Sequence, residues 1–154
     1  MTGHYVVFES VGRAELREFE VPRPQADEVL VESDYSVISA GTELANLANL
    51  PNTVVSEKGF PFLPGYSASG RVVEAGKDVS ELKVGDRVVV AWGGHRSHTI
   101  MKEAGVLKIE DDSIDMRDAA LAHIASFALL GVRRLRIELG ESAMVAGLRD
   151  AVRQ

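Results

Sequence analysis

The chain has 154 residues, enough to bury the core of one ordinary domain, and its 45% hydrophobic and 26% charged fractions are those of a soluble globular protein. A formal net charge of −6, with no basic block along the chain, argues against a nucleic-acid groove. The absence of cysteine excludes disulfides, thiolate-bound zinc and thiol nucleophiles.

Tyr5–Phe8 and Ala14–Val21 flank Gly12 and predict a hairpin. Leu16, Phe19 and Val21 do not alternate strictly, which predicts a bulge in the second run. Pro22 and Pro24 stop that strand, because neither can donate to a ladder. Val29–Ile38 is the next predicted strand. A loop region runs from Ser39 to about Pro64. Within it Thr42–Leu50 predicts a short helix, with Leu44, Leu47 and Ala48 on one side and Pro51 ending it. Gly70–Ala75, Asp86–Trp92, Ser97–Met101 and Gly105–Ile109 read as short strands between glycine turns, the pattern of a barrel or sandwich. A single long helix is predicted over Met116–Arg136, capped by Asp115. Leu121, Ile124, Ala125, Ala128, Val132 and Leu135 lie on one face of it, and Phe127 and Leu130 on the other. Such a helix is expected to be buried round most of its circumference, with Gly140 closing it off. Ser142–Leu148 reads as a last strand. No run approaches roughly 18 uninterrupted apolar residues, so no membrane span is expected. Met1–Tyr5 has no basic region before an apolar run, and a cytoplasmic location is expected.

Several of these segments also form a recognisable series. Phe62-Leu63-Pro64-Gly65-Tyr66-Ser67-Ala68-Ser69-Gly70 leads to Gly76 and then to Val84-Gly85-Asp86-Arg87-Val88. Ser39-Ala40-Gly41-Thr42-Glu43 precedes them, and Gly93-Gly94-His95 and the helix Ala119–Arg134 follow. In order and spacing the series, from about Asp27 to Gly140, resembles the GroES-like catalytic domain of the medium-chain dehydrogenase/reductase superfamily. The resemblance implies a mainly-β, GroES-like partial barrel with one long helix and no Rossmann domain. Residues 1–137 would be the substrate-side domain, and 138–154 a remnant of the first strand of a nucleotide-binding domain. The implied function is that of a truncated, alcohol dehydrogenase-like, zinc-independent oxidoreductase domain, inactive alone. The alternative is a non-catalytic binding or assembly module that keeps the fold.

The residue-by-residue carry-over argues against zinc. The family's metal positions fall on Ala40, Tyr66, about Ile124, and Ser67 beside Tyr66, and no such set supplies three N, S or O ligands. His123 is one residue from the third position, on a different face of the helix. Its bland reading is a buried histidine hydrogen-bonded within the helix packing. His95 and His98 are three apart, so one is expected to line the cleft and the other to be solvated.

Thr42 falls where alcohol-oxidising relatives relay a hydroxyl proton, but the histidine that usually follows three residues later is Ala45. Thr42 could instead cap the short helix. Tyr66 could donate a hydrogen bond to a substrate carbonyl, or simply wall the cleft. Ser39, Glu43, Ser67, Trp92 and His95 complete the expected cleft. Glu43 and Ser67 are expected to bond each other or Tyr66, and Trp92 is read mainly as a packing anchor.

The dinucleotide fingerprint matches only at Gly147, its second and third glycines falling on Arg149 and Val152. This chain is therefore expected to bind no cofactor, although NAD(P) is implied for full-length relatives. Expected partners are a second copy, through residues near 119–148, or a separate nucleotide-binding chain.

Overall fold

The computed structural model describes residues 1–144. Strands β1 (Thr2–Ser10) and β2 (Arg13–Glu20) form the expected antiparallel hairpin, pairing Thr2 with Glu20 and Ser10 with Arg13. The register shifts between Phe8 and Ser10, so the extra residue is Glu9 on β1 and not in the run holding Leu16 and Phe19.

The remaining strands are β3 (Glu28–Ser36), β4 (Ser67–Ala75), β5 (Arg87–Ala91), β6 (His98–Lys102) and β7 (Val106–Lys108). They make one antiparallel sheet in the order β6-β3-β4-β5-β7. Side chains two apart share a face of a strand. Val29 and Val31 of β3 therefore meet Val88 and Val90 of β5, and with Val72 and Leu82 they form the core. The mainly-β partial barrel read from the sequence is the observed architecture. Bridges from Tyr5 to Arg96 and from Phe8 to Phe62 fasten the hairpin to it.

The glycines of the central motif have separate reasons. Gly65 adopts φ +99°, and a Cβ there would lie 2.4 Å from the backbone nitrogen of His95. Gly70 has an ordinary φ, but a Cβ would lie 2.2 Å from the carbonyl oxygen of Glu32 on the neighbouring strand. In the Gly85-Asp86-Arg87-Val88 turn, buried Asp86 accepts from the Lys83 amide at 2.9 Å and from the Lys108 ammonium at 3.1 Å. That carboxylate ties the turn to β7.

The long helix is corrected by the structure. Asp115 does cap it, accepting from the Arg117 amide at 2.7 Å. The run is nevertheless two helices, α3 (Met116–Ala119) and α4 (Ala122–Leu135), broken at Ala120 and Leu121. Only the first is buried. Ser67 and Ser69 of β4 donate their hydroxyl protons to the carbonyls of Ala120 and Met116, which clamp α3 to the sheet. No residue of α4 is buried, and Phe127, Leu130, Val132 and Leu135 are all more than half exposed. Among the described residues α4 touches β4 and β5.

The helix near Thr42 is α1 (Ala40–Leu47), whose N-cap is Ser39. Thr42 is its third residue and caps nothing. A further helix that the sequence did not announce, α2 (Val54–Lys58), is closed by a reciprocal capping box between Thr53 and Ser56. The expected strand at Ser142–Leu148, and Gly147, Arg149 and Val152, lie wholly or mostly outside the described residues. Among those described, no helix is long and apolar enough to cross a membrane.

Candidate functional site

The pairing of β4 with β5 decides the first cluster. Ser67 lies opposite Ala91, so Tyr66 and Trp92 leave the sheet side by side, and the Trp92 amide donates to the Tyr66 carbonyl at 3.1 Å. Their ring centroids are 5.4 Å apart. The His123 ring, in the first turn of α4, meets both edge-on, 5.9 Å from Tyr66 and 5.5 Å from Trp92. Phe127, one turn later, lies 5.2 Å from His123. These are favourable aromatic separations.

Two readings change here. Trp92 is no packing anchor: it is 70% exposed and its backbone takes φ +61°. A non-glycine residue held in that region stores strain, and such strain concentrates at working sites. His123 is not hydrogen-bonded through its outer nitrogen, since Nε2 is buried and has no partner among the described residues.

Ser39 and Thr42 lie where the chain leaves β3 and enters α1. The loop leaving β3 is held by the Val37 amide, which donates to the Ser67 carbonyl at 2.9 Å, next to Tyr66. Ser39 Oγ then donates to Thr42 Oγ1 at 3.3 Å. Ser67 itself is turned away: its side chain is buried and its proton is held by Ala120. The expected Glu43–Ser67 or Glu43–Tyr66 contact is absent among the described hydrogen bonds.

Glu43 belongs to a second cluster. Both of its carboxylate oxygens lie 3.0 Å from His95 Nε2, and His95 Nδ1 lies 2.8 Å from Ser36 Oγ. Glu43 and His95 are both buried, whereas Ser36 is exposed. Glu43 also accepts from the Ser39 amide at 3.3 Å, so the pair braces the start of α1. His98, expected to be solvated, is buried too, with Nδ1 3.0 Å from Ser97 Oγ.

The structure thus brings Tyr66 and Trp92 together, joins Glu43 and His95 in a second cluster that Ser39 touches through its amide, sets Thr42 against Ser39, and removes Ser67 from both. Sequence reasoning missed Ser36, and set His123 aside. The Ser36–His95 contact spans 59 positions, and no local pattern marks it. His123 could have been found from its spacing of four from Phe127, which places the two rings on one helix face.

The metal positions do not fit zinc. Ala40 and Ile124 have no donor, the Ser67 hydroxyl is bound to Ala120, and Tyr66 is stacked among rings. No group of three His, Asp or Glu among the described residues could hold a metal.

The sequence model of the alcohol dehydrogenase GroES-like domain matches residues 25–121. The chain belongs to that family. It is 30% identical over 134 residues to quinone oxidoreductase-like protein 2 of Mus musculus, covering 84% of this chain and 37% of the relative. Among solved structures it resembles the 2R,3R-butanediol dehydrogenase from Bacillus subtilis, at a TM-score of 0.77 and 21% identity, over 90% of this chain and 49% of that one. It also resembles CAD from Helicobacter pylori complexed with NADP(H), at a TM-score of 0.69 and 15% identity, over 87% of this chain and 49% of that one. The chain spans less than half the length of each of these proteins.

Proposed function

We propose that residues 1–137 form the substrate-side domain of an NAD(P)-dependent oxidoreductase that works without zinc. The observation that carries this reading is the Tyr66 ring, at the position that by resemblance corresponds to a zinc ligand of metal-dependent relatives, grouped with the rings of Trp92 and His123. In this reading the Tyr66 hydroxyl donates a hydrogen bond to a substrate carbonyl, the task a metal would otherwise perform as a Lewis acid. The exposed Trp92 ring covers one face of the substrate. Thr42, already bonded to Ser39, carries the hydroxyl proton. A nicotinamide cofactor, when bound, supplies or accepts the hydride.

The described strands are all antiparallel and offer no βα unit to cradle a pyrophosphate. Cofactor binding therefore falls to a unit outside them, and these residues carry out no hydride transfer alone. The half-exposed apolar face of α4 supports association with another polypeptide unit, either a nucleotide-binding unit or a second copy.

Trp92 is the one tryptophan and reports on the cluster directly. Titrating the 154-residue chain with NADPH is expected to give no saturable change in its fluorescence. Saturable binding would contradict the division of labour. Titration with Zn²⁺ is expected to show no tight site, and a stoichiometric one would overturn the metal-free reading. Light scattering at high concentration is expected to show a dimer or larger species, and a monomer would remove the association through α4. If the fold serves only as a binding module, a Tyr66→Phe variant supplied with a nucleotide-binding unit would lose nothing in turnover. The oxidoreductase reading expects a fall of roughly 100-fold, the usual worth of a positioned proton donor.

A further inference from the structure

The geometry points to a second site in this chain, an acyl-ester hydrolysing centre formed by Ser36, His95 and Glu43. The three residues come from the end of β3, the loop before β6 and helix α1. An ionised carboxylate only accepts hydrogen bonds, so its contact with Nε2 places the neutral imidazole's proton there. Nδ1 is then the acceptor, 2.8 Å from the Ser36 hydroxyl. That is the arrangement of an activated nucleophile: a hydroxyl on a base, and a base oriented by a third group. The burial is graded as such chemistry needs, with His95 9% and Glu43 7% exposed and Ser36 open to solvent.

The surroundings indicate the substrate class. Ser36, His95 and Glu43 all border a groove of about 470 Å³ whose other walls include Val6, Phe8, Ile38 and Leu47. It is apolar and suits a short aliphatic acyl chain. Ala40, the first residue of α1, lines the same groove. No side chain caps the first turn of α1, and its open amide N–H groups are the donors assigned to a developing oxyanion. None of the four rings of the Tyr66 cluster lines this groove, so the site does not depend on the oxidoreductase reading.

In the reaction Ser36 Oγ attacks the ester carbonyl carbon, and its proton passes to His95 Nδ1. Collapse breaks the bond to the alkoxide, which leaves with that proton. Water then attacks the acyl-serine, gives its proton to Nδ1, and releases the acid as the serine regains its hydrogen. No electrons are exchanged with any other species. Glu43 positions the ring and balances its charge.

The test uses the intact 154-residue chain. A fluorophosphonate probe followed by peptide mapping is expected to place one adduct on Ser36. The chain is expected to hydrolyse p-nitrophenyl butyrate, with Ser36→Ala falling to the rate of the buffer and His95→Gln losing about 100-fold or more. Absence of a Ser36 adduct on folded wild-type protein would overturn the proposal whether or not the variants fold. So would hydrolysis that persists in a folded Ser36→Ala variant.

Discussion

Replacing three glycines by alanine separates backbone strain from steric collision in this fold. At Gly85 φ is +94° and nothing lies within 4 Å of an added Cβ. Gly85→Ala therefore meets strain alone, about 1–2 kcal/mol. At Gly70 φ is ordinary, but the new Cβ would sit 2.2 Å from the Glu32 carbonyl oxygen. Gly70→Ala meets collision alone, and because the obstacle is a strand backbone the cost is about 3 kcal/mol. At Gly65 both apply, φ being +99° with the His95 nitrogen at 2.4 Å and its Cγ at 2.8 Å. Gly65→Ala is expected to cost about 4 kcal/mol, the sum of the two. At this chain length 1 kcal/mol moves the midpoint of thermal unfolding by about 2–4 °C. The expected falls are thus about 4 °C for Gly85→Ala, about 9 °C for Gly70→Ala and about 12 °C for Gly65→Ala. Urea unfolding with unchanged slopes would confirm that the native state is what changed. Gly65→Ala has a second signature, since the collision is with His95. The imidazole resonances of His95 are expected to shift in that variant and to stay put in Gly85→Ala. If Gly65→Ala proves no more destabilising than Gly85→Ala, the contact with His95 does not explain this glycine.

Asp86 makes stability depend on acid. Burial pushes its carboxyl up, but the Lys83 amide and the Lys108 ammonium outweigh this and hold it below the ordinary range. An unfolded aspartate titrates near ~3.9. The ionised group therefore contributes stability above that pH, and the contribution is lost as pH falls through the lower folded value. Asp86→Asn is expected to cost about 1–2 kcal/mol at neutral pH and to converge with the parent in acid. A deficit that stays constant down to about pH 2 would rule out this account. Ser67→Ala removes the hydroxyl donor from the Ala120 carbonyl, and Ser69→Ala removes one of two donors from the Met116 carbonyl, which keeps the Ala120 amide. Each is expected to cost about 1–2 kcal/mol, and hydrogen exchange should rise in α3 before it rises in β3. Unchanged protection of α3 would show that the serines do not clamp it.

The strands were legible from the chain because their signals are local. Valines at alternate positions in β3 and β5 need one face buried, and glycine turns between short runs leave few other arrangements. The motif glycines were legible for a similar reason, since a position that tolerates no Cβ accepts only one residue. That Ala40 and Ile124 carry no side-chain donor atom is a matter of residue identity alone. The helix after Asp115 was misjudged because apolar spacing predicts which face is sticky but not whether anything covers it. Ala119 and Ala120 are buried, while Phe127 and Leu130 stay more than half exposed. Trp92 was misjudged on the same ground: composition favours burial of an indole, and only the turn at φ +61° aims it outward. The sequence by itself determined the family and the strand order's raw material, both properties of residue identity and near-neighbour spacing. Tertiary structure alone decided that Ser67 serves α3, that His123 joins the rings of Tyr66 and Trp92, and that Glu43 meets His95 and Ser36. Those contacts join positions about 30 to 60 apart in the chain. Side chains at such separations meet only where the packing of strands, helices and loops brings their segments together.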